Sequence, residues 1–260
     1  MYIENDLGTL QGQAVTTPGG DRFAFFCELL NKPHLLIAGT TGSGKSVFLH
    51  TFIHTLMLEH PMDRQMILID PKRVELIDYA DVLHTMAYTD DSEGAIKALT
   101  LAVNEMEARY IEMRKERKKK YDGCDIYVII DEYADLILTS SKRVVPLIQR
   151  IAQLGRAARV HIVLATQSPS RKTLDPKITL NITDRFALRC QSAIESKQII
   201  GIKGAEDLPK YGKALYQSPE GYFEIPVPLT DEDERQRIID YWQYSNFKKP
   251  FLFSLTRLAS

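Results

Sequence analysis

The sequence predicts an α/β fold, a mostly parallel central sheet flanked by helices, with a β-hairpin and a helix at the C-terminal end. Two patterns carry that expectation. Short apolar runs at 34–38, 65–70, 125–132, 160–167 and 184–190 alternate with stretches whose apolar residues recur at helical spacing. The first of these runs passes directly into a glycine-rich loop and then into a helix, at Gly39-Thr40-Thr41-Gly42-Ser43-Gly44-Lys45-Ser46.

The bulk numbers set the bounds. A chain of 260 residues suits one large α/β domain or two small ones, and 44% hydrophobic with 26% charged residues allows a sizeable core. A formal net charge of −1 gives no global basic signal, so contact with nucleic acid has to come from local patches. The three cysteines, Cys27, Cys124 and Cys190, are scattered and form no CxxC. That points to a reducing compartment, the cytoplasm, and away from a disulfide framework or a zinc site. No run approaches the length of a membrane-spanning helix, and the first residues do not read as a signal peptide. The expected organisation is a lead-in at 1–33 packing on the core, a core domain at 34–245 and a tail at 246–260.

In order along the chain, Thr16-Thr17-Pro18-Gly19-Gly20-Asp21 reads as a turn, and residues 23–30 are apolar enough to pack on the main domain. The 39–46 loop fits G-x-x-x-x-G-K-[ST], the phosphate-binding P-loop. Its glycines let the backbone curl until N–H groups point at phosphate oxygens, and the helix start adds the positive end of its dipole. Lys45 is expected to reach the β- and γ-phosphates of ATP, and the Ser46 hydroxyl to ligate Mg²⁺. His50 and His54 stand i, i+4 on the following helix. Thr51, rather than a glutamate, follows the first, and they read as ordinary surface histidines.

The run at 65–70 is a second strand, ending at Pro71-Lys72-Arg73. At the carboxyl end of a strand, Asp70, Lys72 and Arg73 either border the nucleotide or a subunit interface, or belong to a solvated loop. Residues 92–120 read as one long helix with Ser92 as its N-cap. Its basic end, Arg114-Lys115-Glu116-Arg117-Lys118-Lys119-Lys120, is either a solvated terminus or a phosphate-backbone contact.

The next run, Asp125-Ile126-Tyr127-Val128-Ile129-Ile130-Asp131-Glu132, is an apolar strand ending in two carboxylates, the Walker B pattern. Successive strand residues point opposite ways, so the two acids need different roles. Asp131 is expected to hold Mg²⁺ and Glu132 to orient and deprotonate the attacking water. A whole strand lies between the P-loop and this pair in the sequence. Together with the adjacent glutamate, that favours the ATP-hydrolysing division of P-loop proteins over the GTPase-like one. Residues 141–158 are helical, and the strand at 160–167 closes on Thr166-Gln167, where Gln167 can sense the γ-phosphate. A loop carrying Arg171 and Lys172 follows. A fifth strand begins near Arg185, and a short helix at 192–200 leads to Gly201. Two strands flank Ser218-Pro219-Glu220-Gly221 as a hairpin, and Thr230-Asp231-Glu232-Asp233 caps a last helix.

Five blocks, in order, resemble the FtsK/SpoIIIE family of DNA translocases. The first runs from Pro33 through the P-loop. The second is Ile69-Asp70-Pro71-Lys72 with Val74-Glu75-Leu76. The third is Val128-Ile129-Ile130-Asp131-Glu132-Tyr133-Ala134-Asp135-Leu136. The fourth joins Gly155-Arg156-Ala157-Ala158 to His161-Ile162-Val163-Leu164-Ala165-Thr166-Gln167, and the fifth is Gly204-Ala205-Glu206-Asp207-Leu208. The resemblance implies a RecA-like ATPase motor that works as a hexameric ring around double-stranded DNA. It implies hydrolysis between subunits, aided by a neighbour's arginine; Arg185 matches the family's position and Arg156 is the second candidate. The family's ATQRP is here Ala165-Thr166-Gln167-Ser168-Pro169, and the loop beyond it makes Arg171 and Lys172 candidates for DNA contact. The membrane anchor and winged-helix DNA reader of the family are not in this sequence, which looks like a motor core alone. Two rivals remain. One is a type VII-secretion-like or conjugation-type ATPase acting on a protein or nucleoprotein. The other is a nucleotide-binding assembly module without turnover, against which the Asp131-Glu132 pair argues.

Overall fold

A computed structural model describes residues 3–5, 8–10, 20–59, 61–140, 143–167, 169–170, 173–227 and 232–243. Arg171, Lys172, the Thr230-Asp231 cap, the 16–19 part of the first turn and the 246–260 tail lie outside the described residues. A short antiparallel pair, Ile3–Asn5 (β1) and Gly8–Leu10 (β2), comes before helix α1 (Gly20–Leu29). Then come β3 (His34–Ala38), α2 (Lys45–Leu58), β4 (Arg64–Ile69), β5 (Thr85–Thr89) and α3 (Ser92–Glu116). They are followed by β6 (Asp125–Ile130), α4 (Tyr133–Thr139), α5 (Val144–Ala158), β7 (Val160–Thr166), α6 (Pro176–Thr179), β8 (Asp184–Ala187) and α7 (Ala193–Ile200). The hairpin β9 (Lys213–Ser218) and β10 (Gly221–Pro226) and helix α8 (Glu232–Trp242) complete the described chain.

The main sheet runs β10-β9-β8-β3-β7-β6-β4-β5. From β8 to β5 the strands are parallel, and β9 and β10 extend that edge antiparallel. In sequence β4 lies between the P-loop and the acidic pair. In space β7 is the strand that separates β3 from β6, so Thr166 stands between the loop and the carboxylates. A parallel sheet covered on both faces reads as continuous apolar runs, and β3, β6 and β7 are buried at every position. Alternate residues serve two cores. Leu36, Val128, Ile130, Ile162 and Leu164 meet Leu99 and Met106 of α3 and Ile148 and Ile151 of α5. Leu35, Ile37, Tyr127, Ile129 and Val163 meet Phe26 of α1, Phe48 and Phe52 of α2, and Trp242 of α8.

Three local readings change. β5 and α4 carry no strong periodicity in the sequence and were not anticipated; β5 is half-buried at every position, so it shows neither a solid apolar run nor a clean alternation. Helix α3 stops at Glu116 because Arg117 takes a left-handed conformation, φ 56°. The basic run therefore straddles a helix end at the edge where the strands begin, and Lys118 pairs with Glu116 and Asp122. His50 and His54 are not surface residues: they are 6% and 5% exposed, because α2 is sandwiched between the sheet and α8. The Tyr79 hydroxyl bridges them, 2.9 Å from His50 Nδ1 and 3.0 Å from His54 Nε2. Burial, with His50 and Arg235 nearby, lowers the His54 pKa to about 3, so that ring is neutral.

Candidate functional site

Parallel strands end at one edge of the sheet, and ligand sites of open α/β folds form beyond that edge. The residues following β3, β7, β6 and β4 therefore converge. The Gly39 N–H donates to the Thr166 carbonyl at 3.2 Å, and the Asp131 N–H to the Ile69 carbonyl at 3.1 Å. In the loop, Gly42 and Gly44 have φ of 74° and 97°, a backbone that residues with side chains adopt only at a cost of roughly 1–2 kcal/mol. The bend delivers the chain into α2, whose first N–H groups, at Lys45 and Ser46, have no intrahelical acceptors. Together with the positive helix end they form an anion-binding corner.

Lys45 is buried and donates to the Asp131 carboxylate at 2.6 Å and to the Asp131 carbonyl at 2.9 Å. Burial raises the Asp131 pKa against the pull of Lys45, and Glu75 and Asp70 add to the rise. The second carboxylate oxygen, Oδ2, is buried without a hydrogen-bond partner among the described residues. The Ser46 hydroxyl donates to Glu75 Oε1 at 2.7 Å. Glu75 Oε2 lies 3.3 Å from His50 Nε2, and Arg235 Nη1 is 3.1 Å from the same nitrogen. The hydrogen bond from His50, against burial and with help from Ser46, pulls the Glu75 pKa down to about 2.

This donor set fits Mg²⁺. A serine hydroxyl has one proton and two lone pairs. With its O–H directed at Glu75, Ser46 has its lone pairs left for a cation, and Asp131 Oδ2 offers a second hard oxygen. Mg²⁺ usually takes one or two protein ligands and completes its shell with water and phosphate.

Glu132, 1% exposed, accepts from three donors. Thr166 Oγ1 donates to Oε1 at 2.7 Å, the Gln167 N–H to Oε1 and Oε2 at 3.0 and 3.1 Å, and Lys72 Nζ to Oε2 at 3.0 Å. Burial opposes the charge on Lys72, but the hydrogen bond to Glu132 and the nearby carboxylates raise its pKa overall. The Gln167 side chain points to the loop, its Oε1 accepting from Thr41 Oγ1 at 2.9 Å. Gln167 thus touches the P-loop with its amide and Glu132 with its backbone.

Of the charged cluster after β4, Asp70 is a structural residue. It is fully buried and accepts from the N–H groups of Arg73, Glu75 and Leu76 at 2.9–3.0 Å, fixing the turn that carries Lys72 and Glu75. Arg73 faces outward and pairs with Asp90. Arg185 stands in β8, beside the P-loop strand and level with Leu36 of β3. Its guanidinium donates to the carbonyls of Ile182 and Ile199 at 2.7 and 3.2 Å and to that of Thr179, tying α6 to α7. Within one chain it does not reach the P-loop, and among the described residues two of its five N–H donors have no acceptor. Arg156 is exposed in the last turn of α5. The sequence carries no signal that places Glu75 or His50 in the site, and Thr166 enters it only as one of the two polar residues that end the strand. Glu75 stands in the block with Asp70 and Lys72, but nothing in its spacing announces a bond to Ser46, 29 residues away.

Comparison with known proteins bears on this arrangement. The model of the FtsK/SpoIIIE family matches residues 11–126 and 124–171. The chain belongs to the FtsK/SpoIIIE family. DNA translocase FtsK of Helicobacter pylori J99 is 36% identical over 254 residues, covering 90% of this chain and 30% of that protein. DNA translocase FtsK of Campylobacter jejuni strain 81-176 is 37% identical over 235 residues, 84% of this chain and 25% of that protein. The chain thus spans less than a third of the length of these relatives. Among solved structures, the pCW3 conjugation coupling protein TcpA with ATPγS superposes with a TM-score of 0.72 at 26% identity, over 81% of this chain and 65% of that one. The cytoplasmic domain of the Thermomonospora curvata type VII secretion ATPase EccC gives 0.70 at 21% identity, over 85% and 30%. The fold of this FtsK/SpoIIIE chain is that of P-loop ATPase motor domains, and no helix among its described residues is long and apolar enough to cross a membrane.

Proposed function

We propose that this chain is the motor core of an ATP-driven translocase of double-stranded DNA, which hydrolyses ATP between the subunits of a ring, with six subunits as the expected number, in the cytoplasm. One observation carries the hydrolytic part: β7 lies between β3 and β6, so that P-loop, Gln167 and Glu132 are linked by direct hydrogen bonds. The DNA part is supported by the identity with curated DNA translocases along most of the chain.

Each residue has a role that follows from its position. The 39–46 backbone and Lys45 hold the phosphates. Ser46 and Asp131 hold Mg²⁺, which supplies charge neutralisation at the γ-phosphoryl group when bound. Glu132 takes a proton from the attacking water. Gln167, in contact with loop and base alike, relays loss of the γ-phosphate to the rest of the chain. Arg185, or Arg156, adds a cation to the neighbour's site, an effect worth several orders of magnitude in related phosphoryl transfers. DNA is gripped through backbone phosphates, with Arg171 and Lys172 as candidate contacts.

A conjugation- or secretion-type ATPase moving a nucleoprotein or protein is the second reading, supported by the TcpA likeness. Steady-state ATP hydrolysis with and without long duplex DNA, at low and moderate salt, separates the two. Salt-sensitive stimulation by duplex is expected of the translocase. Robust hydrolysis indifferent to DNA overturns it in favour of the second reading.

A further inference from the structure

A general base needs a lone pair within reach of the proton it removes. A carboxylate offers about four acceptor positions, and those of Glu132 are met by Thr166 Oγ1, by the Gln167 N–H across both oxygens, and by Lys72 Nζ. In this arrangement Glu132 has no free acceptor for water. Two of the three donors cannot readily leave. The Gln167 N–H is backbone, and Thr166 is a fully buried residue at the end of β7. Lys72 is different: its side chain is 33% exposed, against 2% for that of Glu132, and it sits on a flexible stem.

Lys72 also has a second carboxylate close by. Asp135, in the first turn of α4, has Oδ2 3.9 Å from Lys72 Nζ and is 45% exposed. A shift of about 1 Å brings that pair into hydrogen-bond range. The backbone under Lys72 is held by Asp70, so such a transfer is a movement of the side chain alone.

We propose that Lys72 is a positioning residue that withholds Glu132 from water in the resting chain, and that its ammonium passes to Asp135 before ATP is cleaved. The inference rests on the reading of Glu132 as the base, and not on DNA being the substrate. Because Lys72 is on the turn after β4 and Asp135 on α4, any contact that reorients either element sets the hydrolysis rate without touching the nucleotide.

The test is steady-state ATP hydrolysis by the whole chain, wild type and variants, with and without long duplex DNA. Lys72→Met is expected to raise the DNA-free kcat by roughly tenfold, with KM little changed, since the cation that occupies the base is gone. Lys72→Gln, which keeps a polar side chain, is the second variant and moves the same way. Glu132→Gln in the Lys72→Met background removes the gain. Asp135→Asn lowers the DNA-stimulated kcat without altering KM, because Lys72 loses its alternative partner. A fall in DNA-free kcat in both Lys72 variants, or a gain that survives Glu132→Gln, overturns the proposal. A wild type indifferent to DNA overturns the translocase reading alone, since the DNA-free rates still decide the role of Lys72.

Discussion

The Lys45 ammonium and the Asp131 carboxylate are each other's partner, 2.6 Å apart, with side chains 3% and 1% exposed. The residue proposed to hold phosphate and the one proposed to hold the metal are thus paired with each other in the nucleotide-free chain. Both charges are buried, and breaking such a pair by removing one member costs about 3–5 kcal/mol. Lys45→Met is therefore expected to abolish turnover and also to lower the melting temperature of the nucleotide-free protein by on the order of 10 °C. Adding Asp131→Asn to Lys45→Met should restore part of that stability and none of the activity. Thermal denaturation beside an ATPase assay checks both. Full stability of the single variant would show that the pair is not held in solution.

Glu132→Gln separates binding from chemistry. The amide keeps the size of the side chain and its place against Thr166, but cannot take a proton from water. ATP affinity, measured by fluorescence of a labelled analogue, is expected to stay within a few-fold, while hydrolysis falls by at least 10²-fold. Near-normal turnover would mean that another group is the base.

Glu75 orients Ser46, the serine proposed to hold Mg²⁺. Its Oε1 accepts a hydrogen bond from the Ser46 hydroxyl at 2.7 Å, and His50 lies against its other oxygen. Partners of metal ligands commonly govern affinity by 10–100-fold. Glu75→Ala should raise the Mg²⁺ concentration giving half-maximal hydrolysis by about tenfold, with a smaller effect on kcat at saturating Mg²⁺. An unchanged Mg²⁺ titration would remove Glu75 from the site.

What the sequence disclosed and what it hid follow from the range of the interactions. The P-loop and the Asp131-Glu132 pair are local patterns, set by what a strand end or helix start has to present, and both stand where their spacing places them. β5 escaped notice because its half-buried positions show no clean period. For the histidines of α2, i, i+4 spacing locates a helical face without saying what covers it; the cover is α8, some 180 residues later. The bonds of Lys72 to Glu132 and of Ser46 to Glu75 span 60 and 29 residues, and only the sheet order brings them together. Arg185 was read for a neighbour's site, and a single chain shows instead the carbonyls it braces.

At the far edge of the sheet, Asp125 at the start of β6 accepts from Arg159 Nε at 2.8 Å and from His161 Nε2 at 2.7 Å, and its second oxygen pairs with Arg159 Nη2. Burial opposes the charge, but Arg159 and His161 outweigh it and hold the Asp125 pKa at about 2. The unfolded value is about 3.9. A depressed folded pKa contributes stability that is present above the unfolded value and is lost as pH falls through the folded one. Asp125→Asn should thus cost about 1–2 kcal/mol at pH 6, allowing for screening at the partly open Arg159. The difference in melting temperature from wild type should narrow between roughly pH 4 and pH 2. A gap independent of pH over that window would show that packing, and not the charge, is what Asp125 provides.

Arg185 can be tested for two roles at once. Three of its donors brace the carbonyls of Thr179 at the end of α6, Ile182 ahead of β8 and Ile199 in the last turn of α7, so Arg185→Ala is expected to lower thermal stability by about 2 kcal/mol. If its remaining donors also reach a neighbour's nucleotide, rings of Arg185→Ala alone and of Lys45→Met alone should both be inactive, for different reasons. Mixing them creates interfaces in which an intact P-loop from the first variant faces an intact arginine from the second. Recovery of measurable hydrolysis in the mixture, with a dependence on the mixing ratio, is the expected outcome. A mixture as inactive as its parts, formed from subunits shown to assemble, assigns Arg185 to the brace alone and leaves the exposed Arg156 as the residue that crosses the interface.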